Sequence, residues 1–209
     1  MADALLAILH KALSIGWVYD FTQFIGGSSI LRRRLRHYYT DCYGRVLDIG
    51  GGTGNVGRLL PAGCTLICLD NELPKLERFS RKALGNPLLA DGTRIPIRSG
   101  TIDFVTCSQV SHHLTSDQLD AVLCESVRVL KSTGSLIFMD AVMKPSRLSG
   151  RILWMLDRGS YPRSSVELHQ ALKRHFHVET WDRLALYHEF VVGVCRTGNN
   201  ALAPTGGET

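Results

Sequence analysis

Three groups of residues in this chain have types and spacing suited to chemistry. The first is Gly50-Gly51-Gly52-Thr53-Gly54, which breaks a short apolar run, Val46-Leu47-Asp48-Ile49. Glycines this dense let the backbone turn sharply and let a ligand approach with no Cβ in the way. The second is a pair of acids, Asp70 and Asp91, each closing a short apolar segment. The third is a polar loop, Ser108-Gln109-Val110-Ser111-His112-His113. A carboxylate accepts hydrogen bonds from a pair of ribose hydroxyls or from an exocyclic amine. An imidazole that titrates near neutrality can take a proton from a substrate. Together these groups suit a nucleoside with a charged tail, provided that one scaffold brings them to one edge.

The hydrophobic pattern predicts that scaffold. From Gly44 onward, short β-branched runs alternate with helical periodicity. Strands are predicted at 44–49, 64–69, 87–90, 102–108 and 135–142. Asn55 is predicted to open a helix after the glycines, and Asn71 to cap a helix over 72–84 with Pro74 in its first turn. Thr115 with Gln118, and Ser164 with Glu167, read as capping boxes opening helices to about 130 and over 166–176. The chain closes with strands 177–184 and 189–195, joined by a turn too short for a crossover, so one of them must run antiparallel. The fold class is α/β: a doubly wound, mostly parallel seven-stranded sheet with one antiparallel strand near the C-terminus. Before the sheet, residues 3–15 and 30–40 have helical periodicity, and Ser28 or Ser29 is placed to cap the second helix. In an open α/β sheet, ligands bind beyond the carboxyl ends of the strands, which is where all three chemical groups fall.

The domain organisation read from this pattern is an N-terminal helical lid or cap over 1–43 and a main domain over 44–197 with a lid insertion at about 143–165. The tail 198–209 is expected to be disordered. At 209 residues with 44% apolar and 21% charged content, one globular domain with a real core is the default. No apolar run is long enough for a membrane-spanning helix. The opening MADALLAILHKALSIGWVYD carries Asp3 and lacks a basic leader, which argues against a cleaved signal peptide. The six cysteines are scattered, with Cys64, Cys68 and Cys107 inside predicted strands. That suits buried thiols in a reducing cytoplasm. No CxxC pair is present, and the spacing of His169, His175 and His177 does not bring the three to one face, so no metal is expected.

The glycine loop does not fit two familiar phosphate-binding patterns. A dinucleotide fingerprint wants a glycine at Asn55 and an acid about 20 residues further on. A P-loop requires a Gly-Lys-Ser/Thr that does not follow. What the residues do resemble is the class I, seven-stranded, Rossmann-like family of S-adenosylmethionine-dependent methyltransferases. The likeness is to the ubiquinone/menaquinone-type and related small-molecule enzymes. It is carried by VLDIGGGTG at 46–54, CLD at 68–70, ADGTRIPIRSGTIDFV at 90–105, SQVSHHL at 108–114 and VLKSTGSLIF at 129–138. The resemblance implies that Asp48, Gly50, Gly51, Gly52 and Gly54 surround the methionine part of S-adenosyl-L-methionine. It implies that Asp70 binds the ribose, that Asn71, Asp91 and Gly92 flank the adenine, and that Ser108, Gln109 and Val110 line the methyl-transfer face. If the acceptor must lose a proton, His113 is the first candidate for the base and His112 the second.

The expected reaction is methyl transfer to a small-molecule acceptor at O, N or C, in the cytoplasm. Residues 1–40, with Tyr19 as a lid contact, and 143–165, with Trp154, Met155, Tyr161 and four arginines, are the segments available to select that acceptor. One alternative is a membrane-peripheral enzyme acting on a lipid or quinone. Its support is the apolar first helix and the basic run Arg32, Arg33, Arg34 and Arg36 in a chain of net charge +5. A nucleic-acid methyltransferase is a weaker alternative. The loop SQVSHH has no Asn/Asp-Pro-Pro-aromatic motif, and no Pro-Cys nucleophile occurs. A cofactor-fold interaction module without activity is weaker still. The sequence leaves the oligomeric state and the acceptor atom open.

Overall fold

The computed structural model describes residues 28–142, 161–185 and 189–198. The predicted helix at 3–15, Tyr19, most of the 143–165 segment and the expected disordered tail lie outside the described residues. Helix α1 (Ser28–Leu35) runs into a 3-10 turn at Arg36–Tyr39. Strands β1 (Arg45–Ile49), β2 (Thr65–Asp70), β3 (Asn86–Leu89), β4 (Ile102–Ser108), β5 (Leu130–Val142), β6 (His177–Ala185) and β7 (Glu189–Arg196) follow. Between them come α2 (Leu73–Arg81), α3 (Ser116–Val129) and α4 (Ser165–Lys173).

The seven strands form one sheet in the order β3-β2-β1-β4-β5-β7-β6. β1 pairs in parallel with both β2 and β4, and β5 in parallel with β4. β7 is antiparallel to both β5 and β6, so it is the single reversed strand. The chain winds outward from β1 through β2 to β3 and then returns to the other side of β1. That reversal opens a crevice at the carboxyl ends of β1 and β4.

Strand alternation sorts the core onto the two faces. Leu136 and Phe138 of β5 join Val122 and Leu123 of α3 and Leu168 of α4 on one face. Ile137 and Met139 face Leu35 and Tyr39 on the other. Tyr38 donates a 2.6 Å hydrogen bond to Asp182 of β6, so the turn after α1 is tied across the sheet. β3 is an edge strand, which is where Pro87 can sit without breaking a ladder.

Both capping boxes are formed. Thr115 accepts from the Gln118 amide while Gln118 accepts from the Thr115 amide, and Ser164 and Glu167 repeat the arrangement. Two expectations are corrected. The segment after the glycines is not a helix but a single 3-10 turn, Val56–Arg58. Only a few residues separate Gly54 from Pro61, and the residue before a proline is pushed out of helical geometry. Asn71 does not cap α2: the N-cap is Glu72, without a side-chain cap, and the Glu72 amide donates 2.9 Å to Asp70 Oδ1. The capping carboxylate thus comes from the strand end rather than from Asn71, which is exposed.

Candidate active site

Asp48 lies in a strand covered on both faces and is 1% exposed. Its Oδ2 is buried with no hydrogen-bond partner among the described residues. Burial, and then the neighbouring Asp70 charge, push its pKa up to about 8. Gly50 follows at φ +64, and a Cβ there would sit 2.4 Å from Val110 Cγ2. At Gly51 a Cβ would lie 2.6 Å from both Asp48 Oδ2 and Cys68 Sγ. Glycine is therefore required where the loop meets the β4 loop and where it covers Asp48.

Asp70, at the end of β2, holds the loop in place. Its Oδ2 accepts the Gly52 amide at 2.9 Å, while its Oδ1 accepts the Glu72 amide. The Gly51 amide donates 3.0 Å to Leu69 O, and Lys82 Nζ donates 2.8 Å to Thr53 O. One bond on each Asp70 oxygen leaves one further acceptor position on each, as a diol requires. Asp91 is exposed, and its Oδ1 accepts from the Thr93 amide at 2.8 Å and the Thr93 hydroxyl at 2.9 Å. Gly92 packs against Ile49, so this turn lies beside the end of β1.

After β4 the chain turns through Gln109, a non-glycine residue at φ +58 whose amide donates 2.8 Å to Met139 O. Left-handed geometry at a non-glycine residue is unusual and marks a turn held by its surroundings. The next residues make a 3-10 turn, Ser111–His113, which sends the two histidines to different environments. His112 is 5% exposed, and its Nδ1 lies 2.6 Å from Asp140 Oδ1. His113 is exposed, with its ring centroid 4.2 Å from that of His112. Asp140 Oδ2 accepts from the Ser111 amide at 2.7 Å and from the Ser111 hydroxyl. The loop is tied from outside as well: the Tyr161 amide donates 3.0 Å to His112 O, and the Arg163 guanidinium donates to Ser111 O and Leu114 O.

Two participants were not anticipated from the sequence. Asp140 is fully buried in β5, and an acid inside SLIFMDAV was the available signal. Tyr39 is buried, with its hydroxyl 3.2 Å from Thr106 Oγ1, which in turn lies 3.4 Å from Ser108 Oγ. Burial pushes the Tyr39 phenol up to about 12, so it stays protonated. Asp48, Gly50–Gly54, Asp70, Gly92 and Ser108–Val110 thus meet around the carboxyl ends of β1, β2 and β4. Asn71 and Asp91 lie exposed at the rim. His169, His175 and His177 do not converge: His169 packs on Trp181, His175 bonds Asp120, and His177 is exposed.

The residues present fit S-adenosylmethionine. The orphaned Asp48 oxygen needs a donor, such as the ammonium of the methionine part, and Asp70 keeps acceptor capacity for a ribose.

Residues 47–138 match the family model of a methyltransferase domain. Relatives include an uncharacterized methyltransferase of Bacillus mycoides, 24% identical over 136 residues, and one of Bacillus cytotoxicus, 25% identical over 142. Each match covers 60% of this chain and 64% of the relative's length. Among solved structures, a protein of Pyrococcus horikoshii superposes with a TM-score of 0.68 at 19% identity, over 82% of this chain and 91% of the other. The geranyl diphosphate C-methyltransferase of Streptomyces coelicolor, solved with geranyl diphosphate and S-adenosyl-L-homocysteine, gives 0.66 at 13% identity, over 82% and 81%. At these identities the structural likeness is one of fold. Motif order, sheet order and the family match agree on a methyltransferase domain over residues 47–138, set in a seven-stranded, mostly parallel sheet.

Proposed function

We propose that the protein transfers a methyl group from S-adenosylmethionine to a small-molecule acceptor, at O, N or C, and releases S-adenosylhomocysteine. The observation that carries this reading is the meeting of three features at one sheet edge: the orphaned Asp48 oxygen, the Asp70-tied glycine loop and the Asp140-bound His112. When bound, S-adenosylmethionine supplies a methyl already activated by the sulfonium charge. The chain's own task is then to align the acceptor, exclude water and, where needed, take a proton. Asp48 accepts from the ammonium, Asp70 from the ribose, and Asn71, Asp91 and Gly92 border the adenine. Ser108, Gln109 and Val110 form the wall on the transfer side.

Between the two candidate histidines, the geometry favours His112. Asp140 accepts from Nδ1, which fixes the tautomer with its lone pair on Nε2, the nitrogen that then takes the acceptor proton. His113 is exposed, whereas His112 is held inside the fold. Tyr161 and Arg163 anchor the end of the 143–165 segment to the histidine loop, which supports a lid role for that segment.

Calorimetric titration with S-adenosylmethionine tests the cofactor. Mass spectrometry after incubation with a metabolite extract tests the acceptor. Binding without any methylated product would favour a non-catalytic module.

A second reading, an acceptor or surface that carries phosphate, is favoured by a cavity of about 310 Å³ lined by Arg32, Arg33, Arg36, Arg58 and Leu59. Such convergence of guanidinium groups suits phosphate oxygens. Co-sedimentation with anionic but not neutral vesicles, lost in Arg33→Glu/Arg36→Glu, would support peripheral membrane docking. No helix among the described residues is long and apolar enough to cross a membrane.

A further inference from the structure

Outside the proposed methyl-transfer site, one cluster of chemically competent side chains stands on the helical face of the domain. Asp120 and Cys124 are four residues apart on α3 and so share one face of it. The turn after α4 brings His175 against them. His175 Nε2 lies 2.8 Å from Asp120 Oδ1, and His175 Nδ1 lies 3.7 Å from Cys124 Sγ. The donor atoms of all three residues lie within 4.8 Å of one another.

We propose that Cys124 and His175, oriented by Asp120, form a site for a divalent transition-metal ion of the zinc class.

Three observations support the assignment. First, a carboxylate accepts only N–H, so Asp120 fixes the proton of the neutral ring on Nε2 and leaves the Nδ1 lone pair facing the sulfur. A histidine ligand backed in this way by a carboxylate is the recurrent arrangement at zinc sites. Second, the 3.7 Å between sulfur and nitrogen is close to the roughly 3.6 Å edge of a tetrahedron with metal–sulfur of about 2.3 Å and metal–nitrogen of about 2.0–2.1 Å. Third, of the chain's six cysteines, Cys124 is the exposed one. A hydrated ion can therefore reach it. Arg174 Nε, 3.6 Å from Asp120 Oδ1, helps to hold the carboxylate in its orienting position. Binding exchanges one proton for the ion: the thiol S–H bond breaks, sulfur–metal and nitrogen–metal bonds form, and the proton leaves to solvent. Water completes the coordination.

The test uses the full chain without an affinity tag, with Co2+ as the spectroscopic probe and Zn2+ as competitor. The expected result is one equivalent of Co2+ bound with a sulfur-to-cobalt charge-transfer band, one proton released per ion, and loss of the band on adding Zn2+. Cys124→Ser abolishes the band and His175→Ala weakens binding. Asp120→Asn, which removes only the orienting charge, weakens it about 10- to 100-fold while the band at saturation is retained. A second readout needs no variant: Zn2+ should protect Cys124 from iodoacetamide, mapped by peptide mass spectrometry. Absence of the band at millimolar Co2+, its survival in Cys124→Ser, or alkylation of Cys124 at the same rate with Zn2+ present would each overturn the proposal. An unchanged response to S-adenosylmethionine in the variants keeps this result separate from that of the methyl-transfer reading.

Discussion

Nδ1 of His112 and Oδ1 of Asp140 are 2.6 Å apart, with His112 5% exposed and Asp140 fully buried. Both carboxylate oxygens are fully used: Oδ1 also accepts the Ala141 amide at 2.7 Å, and Oδ2 takes the amide and hydroxyl of Ser111. A buried carboxylate is tolerated when it is hydrogen-bonded in this way. The contact fastens the loop after β4 to the end of β5 and turns one imidazole into a fixed element of the crevice.

If His112 takes the acceptor proton, His112→Ala should lower kcat by about 100-fold or more, with S-adenosylmethionine affinity unchanged. Asp140→Asn keeps the shape but allows the wrong tautomer, and should lower kcat by a similar order. His113→Ala should stay within a few-fold of the parent. Steady-state kinetics with calorimetric cofactor binding separates these outcomes. A larger loss in His113→Ala than in His112→Ala would return the base to His113.

Gly50→Ala should damage the glycine loop for two separable reasons. The Cβ would meet Val110 Cγ2 at 2.4 Å, and φ is +64, where an L residue costs about 1–2 kcal/mol. Val110→Ala removes the clash but not the backbone cost. The double variant should therefore recover part of the thermal stability lost in Gly50→Ala, and only part. Full recovery would mean that strain at φ contributes nothing.

The glycine loop, the strand-end acids and both capping boxes are local patterns, and they stand where spacing put them. Asp140 of β5 pairs with His112 of the turn after β4, and no local period encodes a contact between residues 28 positions apart. Which of two adjacent histidines turns inward depends on the rotation of one 3-10 turn, finer than hydrophobic periodicity resolves. The position of Asp70 at the end of β2 is legible from spacing, but its bonds to the Gly52 and Glu72 amides, which fasten the loop and open α2, are not. The helix predicted after the glycines does not form, because Pro61 closes off the short span that follows them.

Thr115→Ala should destabilise the domain by about 1 kcal/mol, the usual cost of losing a side-chain N-cap. Thr115 Oγ1 accepts the Gln118 amide at 3.2 Å, and the reciprocal bond from the Thr115 amide to Gln118 Oε1 is 2.9 Å. The cap starts the helix just beyond the histidine loop, so the urea midpoint should fall with an unchanged m-value. Cofactor affinity should hold. A change in m would instead indicate a rearranged loop.

Asp48 makes folding stability depend on pH in a defined direction. Its pKa is raised from 3.8 to about 8, by burial first and the Asp70 charge second. In that window the folded chain keeps a proton that the unfolded chain has released. Raising pH from about 4 to about 8 therefore removes stability, with a slope of at most about 1.4 kcal/mol per pH unit from this group. Asp48→Asn should lose that slope, so its stability relative to the parent should rise with pH across the window and level off above it. The ammonium of S-adenosylmethionine, placed against the orphaned Oδ2, would favour the ionised carboxylate. Cofactor binding near pH 7 should then release a proton in the parent and none in Asp48→Asn. Calorimetry in buffers of different ionisation enthalpy reads that proton directly. Equal proton release in both proteins would remove Asp48 from contact with the cofactor charge.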